Sequence, residues 1–95
     1  MTFEVRFLPG AEDDLSRIDP EEARRIVWKC RAVLSTNPFP HGKVVRRLTT
    51  VKPPLSRLRL GDWRVFFENR GRVVWIEGVA RKPQAERTIR RLRPR

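Results

Sequence analysis

The sequence predicts an α+β domain, ordered β-α-α-β-β-β, in which a helix hairpin covers one face of an antiparallel sheet. Three observations predict it. Residues 2–7 alternate apolar and polar. Residues 8–34 carry apolar side chains at helical spacing. Residues 55–79 hold three alternating runs separated by glycine-containing turns.

In the first run Phe3, Val5 and Phe7 share one side and Thr2, Glu4 and Arg6 the other, the pattern of a half-buried strand. Pro9 then stands where a helix can begin, and Leu8, Ala11, Leu15 and Ile18 give a short amphipathic helix over about 9–18. Asp19-Pro20-Glu21-Glu22 is a second helix start: Asp19 at the N-cap, Pro20 at the first position, Glu22 placed for a capping box. Ala23, Ile26, Val27, Cys30, Val33 and Leu34 mark its apolar face, and Asn37-Pro38 ends it. The short link between the helices makes them an antiparallel pair.

The stretch 37–54 contains Pro38, Pro40, Pro53 and Pro54 and reads as a loop, with an edge strand at Val44–Leu48 as an option. A three-stranded meander follows: Leu55–Leu60, Trp63–Glu68 and Arg72–Val79. Gly61-Asp62 has the form of a two-residue type II′ turn. Asn69-Arg70-Gly71 makes the second turn. Gln84–Leu92 has helical spacing but is very basic, and it reads as a short helix or a mobile tail. The whole chain, 1–95, forms one domain, with 84–95 as its basic end.

Charge is the strongest functional signal. Residues 1–42 hold six basic and seven acidic side chains, net −1, while residues 43–95 hold sixteen and four, net +12. A basic half on a neutral half points to a polyanion, either nucleic acid or an acidic protein. A generally arginine-rich composition is the bland alternative, but it does not explain the neutral first half. One cysteine excludes an internal disulfide and suits a reducing cytosol. No apolar run approaches the ~20 residues of a membrane span, and the first ten residues do not resemble a signal peptide. No metal-ligand cluster, phosphate loop or hydrolase triad is present, so neither a cofactor nor a metal is expected.

The two-residue Gly61-Asp62 turn fixes a register. Leu60 faces Trp63, Arg59 faces Arg64, Leu58 faces Val65 and Arg57 faces Phe66. Leu58, Leu60, Trp63, Val65 and Phe67 then share the core face, and Arg57, Arg59, Arg64 and Phe66 the opposite one. Like charges directly opposed across strands cost up to ~1 kcal/mol. A face that tolerates them has a use for an anion, and arginine's planar fork fits phosphate oxygens. Phe66 offers a base a stacking surface. A solvated face with scattered charge is the plain alternative. Trp75 and Glu77 join the arginine face if the second turn uses two central residues, and turn to the core if Gly71 closes a bulged three-residue loop. On the arginine face Glu77 is expected to pair with Arg64. Arg81 and Lys82 follow the last strand and are placed to close the rim of the site. His41 sits in a Pro/Gly loop, where a lone histidine is usually exposed and idle, and Cys30 lies on an apolar stripe.

These residues carry a resemblance over about 2–83. Phe3-Glu4-Val5-Arg6-Phe7, with Ala11, Asp14-Leu15 and Ile18-Asp19-Pro20-Glu21 after it, resembles the first strand and helix hairpin of RelE/ParE-type toxins of bacterial toxin–antitoxin systems. Leu58-Arg59-Leu60-Gly61-Asp62-Trp63-Arg64-Val65-Phe66-Phe67-Glu68 is similar to that family's "LRvGdyRvvYe" hairpin, and Val79-Ala80-Arg81-Lys82 to the segment "vgHRrdvY" that ends its last strand. The resemblance implies one of two activities. RelE-like members cut mRNA in the ribosomal A site without a metal, with the RNA 2′-OH as nucleophile, basic residues on the phosphate and often a C-terminal tyrosine or histidine as acid/base. ParE-like members poison DNA gyrase.

On the first, Arg57, Arg59, Arg64 and Lys82 are the catalytic candidates, and the same residues with Phe66 and Arg81 hold RNA. The resemblance also implies a cognate acidic antitoxin in a hetero-oligomer. The departures are specific: the chain has no tyrosine, Thr88 stands near the position of the family's late Tyr, and Arg81 replaces the family's histidine. No general acid/base carries over, and such proton transfer is typically worth about 10²–10⁴-fold. A gyrase inhibitor, or a basic nucleic-acid-binding module without toxicity, are the alternatives.

Overall fold

The computed structural model describes residues 2–94. Its elements run β1 (Glu4–Phe7), α1 (Pro9–Ser16), α2 (Pro20–Leu34), β2 (Val45–Leu48), β3 (Leu55–Leu60), β4 (Trp63–Arg70), β5 (Val73–Arg81), a 3₁₀ turn at Lys82–Gln84, and α3 (Ala85–Leu92). One five-stranded sheet has the order β1-β5-β4-β3-β2. The expected α+β order is present, with the optional edge strand formed.

Both helix starts act as the sequence suggests. Pro9 and Pro20 open α1 and α2, where a missing N–H costs nothing. The Asp19 carboxylate accepts from the Glu22 N–H at 3.4 Å. The reciprocal half of the capping box is absent. Glu22 instead accepts from the Trp63 indole Nε1 at 2.9 Å and pairs with Arg25 at 3.0 Å, tying α2 to the β3–β4 turn.

The first sheet face carries the main core. Val5, Leu58, Val65, Phe67, Val74 and Ile76 pack against Ala11, Ile26, Cys30 and Leu34 of the helix hairpin. Burial pushes the Cys30 thiol up to about 12, consistent with an inert core residue.

Three features differ from the local reading. β1 pairs with β5 in parallel, so the sheet is mixed; alternation specifies a strand's face but not its neighbour. The second turn is Gly71-Arg72, because β4 continues to Arg70 and Arg70 pairs with Val73. Gly71 takes φ +61°, a conformation that an L side chain rarely adopts. A bulge falls instead between Phe66, opposite Gly78, and Phe67, opposite Ile76, which leaves Glu77 as the extra residue.

The second face is not simply open. Gln84–Leu92, ambiguous in sequence, contributes the ordered α3 lying over β5. Leu55, Phe66 and Ala80 form a second small core beneath it, with Leu48, Val51, Ala85, Ile89 and Leu92 packed around. Gly78 permits this approach, since a Cβ there would meet Leu92 and Thr88 at 3.0 and 3.1 Å. Three ion pairs clamp the helix. Arg91 meets Asp14 of α1 at 2.9 Å, and Arg93 meets Glu77 at 2.9 Å and Glu68 at 3.5 Å.

Candidate functional site

The β3–β4 hairpin takes the register expected from its turn: Leu60 with Trp63, Arg59 with Arg64, Leu58 with Val65, Arg57 with Phe66. Gly61 takes φ +57° and Asp62 a negative φ, the signs of a type II′ turn. The turn therefore places Arg57, Arg59 and Arg64 together on the second face. β2 adds a fourth: Arg46 pairs with Arg57. Arg46 is the residue that sequence reasoning passes over. The signal is the alternation of Val45-Arg46-Arg47-Leu48, which sends Val45 to the core and Arg46 to the arginine side.

The four guanidinium groups are held differently. Arg64 is nearly buried, and its Nη1 donates to the carbonyls of Gly61 at 2.7 Å and Trp63 at 2.9 Å. Arg57 is half-buried; its Nη2 donates to the Lys43 carbonyl at 2.8 Å, while its Nε is buried without a partner. Arg46 and Arg59 are exposed. Among the described residues none of the four lies within ion-pair distance of a carboxylate. Burial, and then the charges of Arg64, Arg46 and Arg59, pull the Arg57 pKa below its ordinary value. Arginine keeps its proton at neutral pH regardless, so titration does not relieve the repulsion.

The other candidates are distributed otherwise. Phe66 is fully buried beneath α3, so it offers no stacking surface; its ring fills the second core. Arg81 is on the wrong face. It pairs with Trp63 and stacks over that ring, 4.5 Å from its centroid, on the α2 side of the sheet. Lys82 opens the 3₁₀ turn, exposed, with its N–H on the Asp62 carbonyl at 2.7 Å; that bond holds it at the hairpin-turn end of the sheet. Trp75 pairs with Glu68 and carries Arg6 over its ring at 5.6 Å, which puts it on the second face but far along it. Glu77 is on that face too, but its partner is Arg93, not Arg64. His41 is half-buried, with Nδ1 2.7 Å from the Phe39 carbonyl. Thr88 is buried against Gly78.

The arrangement is thus an all-cationic patch at one end of a sheet face, bounded by α3. It can grip and polarise a phosphodiester. By architecture the chain has a RelE-type fold, shared with chains of toxin–antitoxin complexes. A chain of the RelBE2 toxin–antitoxin complex from Mycobacterium tuberculosis is similar at 22% identity and TM-score 0.71, over 85% of this chain and 99% of that one. A chain of the archaeal RelE–RelB complex from Pyrococcus horikoshii is similar at 27% identity and TM-score 0.67, over 86% and 97%. The E. coli DinJ–YafQ toxin–antitoxin complex gives 12% identity and TM-score 0.59, over 90% and 97%. No protein-family model matches the sequence, and no curated protein does.

Proposed function

We propose that this protein is the toxin of a type II toxin–antitoxin pair and that it acts as a ribosome-dependent mRNA endoribonuclease in the cytoplasm. The observation that carries the reading is the patch of Arg46, Arg57, Arg59 and Arg64, unpaired on a RelE-type sheet. Four like charges without a counter-ion cost stability in the free protein. A phosphate in single-stranded RNA offsets that cost and, as negative charge grows on its oxygens, is stabilised further. Arg57, Arg59 and Arg64 hold and polarise the scissile phosphate, Arg46 extends the grip along the strand, and Lys82 closes the turn end. Arg81 and Phe66 have no part in it. The attacking group is the RNA 2′-OH, and no metal is required.

The partner expected of such a chain is an acidic antitoxin. The +12 of residues 43–95 need not be matched in full; a partly disordered acidic segment laid over the arginine patch neutralises it and occludes the site together. A second reading, inhibition of DNA gyrase, is favoured by the absence of any tyrosine in the sequence.

The test is induced expression of the free protein, with primer extension along a reporter mRNA and a parallel gyrase supercoiling assay. Cleavage at A-site codons, lost in Arg59→Ala, is the expected result. Intact mRNA with inhibited supercoiling gives the gyrase reading, and neither effect leaves a simple nucleic-acid-binding module. Arg59 is the cleaner target because its side chain makes no hydrogen bond among the described residues, whereas Arg64 also holds the turn.

A further inference from the structure

The site as described has phosphate ligands but no group to move the proton of the attacking 2′-OH. His41 is turned to its own loop and Thr88 is buried. The carboxylates supply a better candidate. Asp14, Glu68 and Glu77 are consumed by Arg91, Arg70 and Arg93. Glu22 is held by Arg25 and the Trp63 indole, and Asp62 opens toward α2 beside Glu22, Arg25 and Arg81. Glu86 is different. It lies in the first turn of α3, exposed, with no ion pair among the described residues.

Glu86 lines a groove of about 490 Å³ between α3 and the 48–52 loop, with Leu48, Val51, Lys52, Ile89 and Arg90. Leu48 of this groove stands two residues along β2 from Arg46 of the patch. Leu48 and Arg46 are alternate residues of β2, and Leu55 and Arg57 alternate residues of β3, each pair on one face and about 6.6 Å apart along its strand. α3 folds back over β5 from the 3₁₀ turn, so its first turn is the end nearest the patch.

We infer that Glu86 is the general base of the proposed ribonuclease, working from the α3 groove on an RNA strand held by Arg46, Arg57, Arg59 and Arg64. The inference rests on the ribonuclease reading. The Glu86 carboxylate takes the proton from the 2′-OH. The 2′-oxygen forms a bond to phosphorus as the phosphorus–5′-oxygen bond breaks. The departing 5′-oxygen takes a proton from water, and Glu86 returns its own to solvent. The products are a 2′,3′-cyclic phosphate and a 5′-hydroxyl end, with no water or oxidant consumed. The charged groups that line the groove with Glu86 are Lys52 from the loop and Arg90 and Arg93 from the α3 side, all of them cations.

The experiment is single-turnover cleavage of mRNA in programmed ribosomes by the wild type, Glu86→Gln, Glu86→Asp and Arg59→Ala, over a range of pH, with RNA affinity measured beside it. Glu86→Gln is expected to slow cleavage by about 10²-fold or more at unchanged affinity, with the acid limb of the pH–rate profile gone and partly kept in Glu86→Asp. Wild-type cleavage by Glu86→Gln, with Arg59→Ala inactive, overturns the Glu86 assignment and leaves the ribonuclease reading intact. So does a loss explained wholly by weaker binding. A wild type that cuts nothing overturns both.

Discussion

Arginines on or beside the second sheet face live in two opposite environments. Arg91 and Arg93, at the α3 end, are each fixed to a carboxylate, and those hydrogen bonds hold their pKa values above the ordinary arginine value. Arg46, Arg57, Arg59 and Arg64, at the hairpin-turn end, have no carboxylate partner among the described residues, and the Arg57 pKa moves the other way. One residue type thus does two jobs on one surface. Where a carboxylate is supplied the arginine is structural and locks a helix onto the sheet. Where none is supplied, like charges stand opposed across the strands, a cost in stability that a bound anion would offset.

This contrast can be attacked from either side. The largest expected effect is in the closed half: Phe66→Ala should cost about 3–5 kcal/mol in urea unfolding, because it empties the second core. A near-neutral result would mean that α3 does not cover the ring. Next, Arg93→Ala should cost about 3 kcal/mol, because Glu77, whose side chain is 11% exposed, is left without its partner. Protease sensitivity within 85–94 should rise with it.

In the open half the sign reverses. Arg59→Ala should raise the stability of the free protein by up to ~1 kcal/mol at low salt, the gain shrinking as salt screens the repulsion. Unchanged or lower stability would show the arginines are not in conflict. The smallest effect is with pH. Hydrogen bonding by Arg70, with Arg93 nearby, holds the Glu68 carboxyl below its ordinary value. A depressed folded pKa contributes stability that is present above the unfolded value, about 4.3, and is lost as pH falls through the folded one. Acid titration below about pH 4 should therefore loosen α3, and Glu68→Gln should flatten that loss.

The open half was legible in the sequence because its geometry is local. A Gly-Asp turn sets the β3–β4 register, and register sets the face of every residue in the hairpin. The closed half depends on distant partners. Nothing near Arg91 or Arg93 in sequence announces Asp14 or Glu77, so 84–92 read equally well as helix or tail. Alternation puts Phe66 on the correct face, but its covering by α3 depends on residues distant in sequence. Arg81 was misplaced for a related reason. It stands one residue past Ala80, the partner of Arg64, and period-two alternation sends it to the other side, onto Trp63. Arg46 is hard to read because its strand is short and lies among prolines.

The most direct test of the central claim, that the unpaired arginines are the RNA-phosphate site, is the salt dependence of binding to a single-stranded RNA by the wild type and Arg59→Ala. Each lost phosphate contact should reduce the log–log slope by about 0.7. The account predicts weaker binding and a slope shallower by about that amount in Arg59→Ala, with the protein at least as stable as before. Equal affinity and equal slope in the two proteins would contradict it.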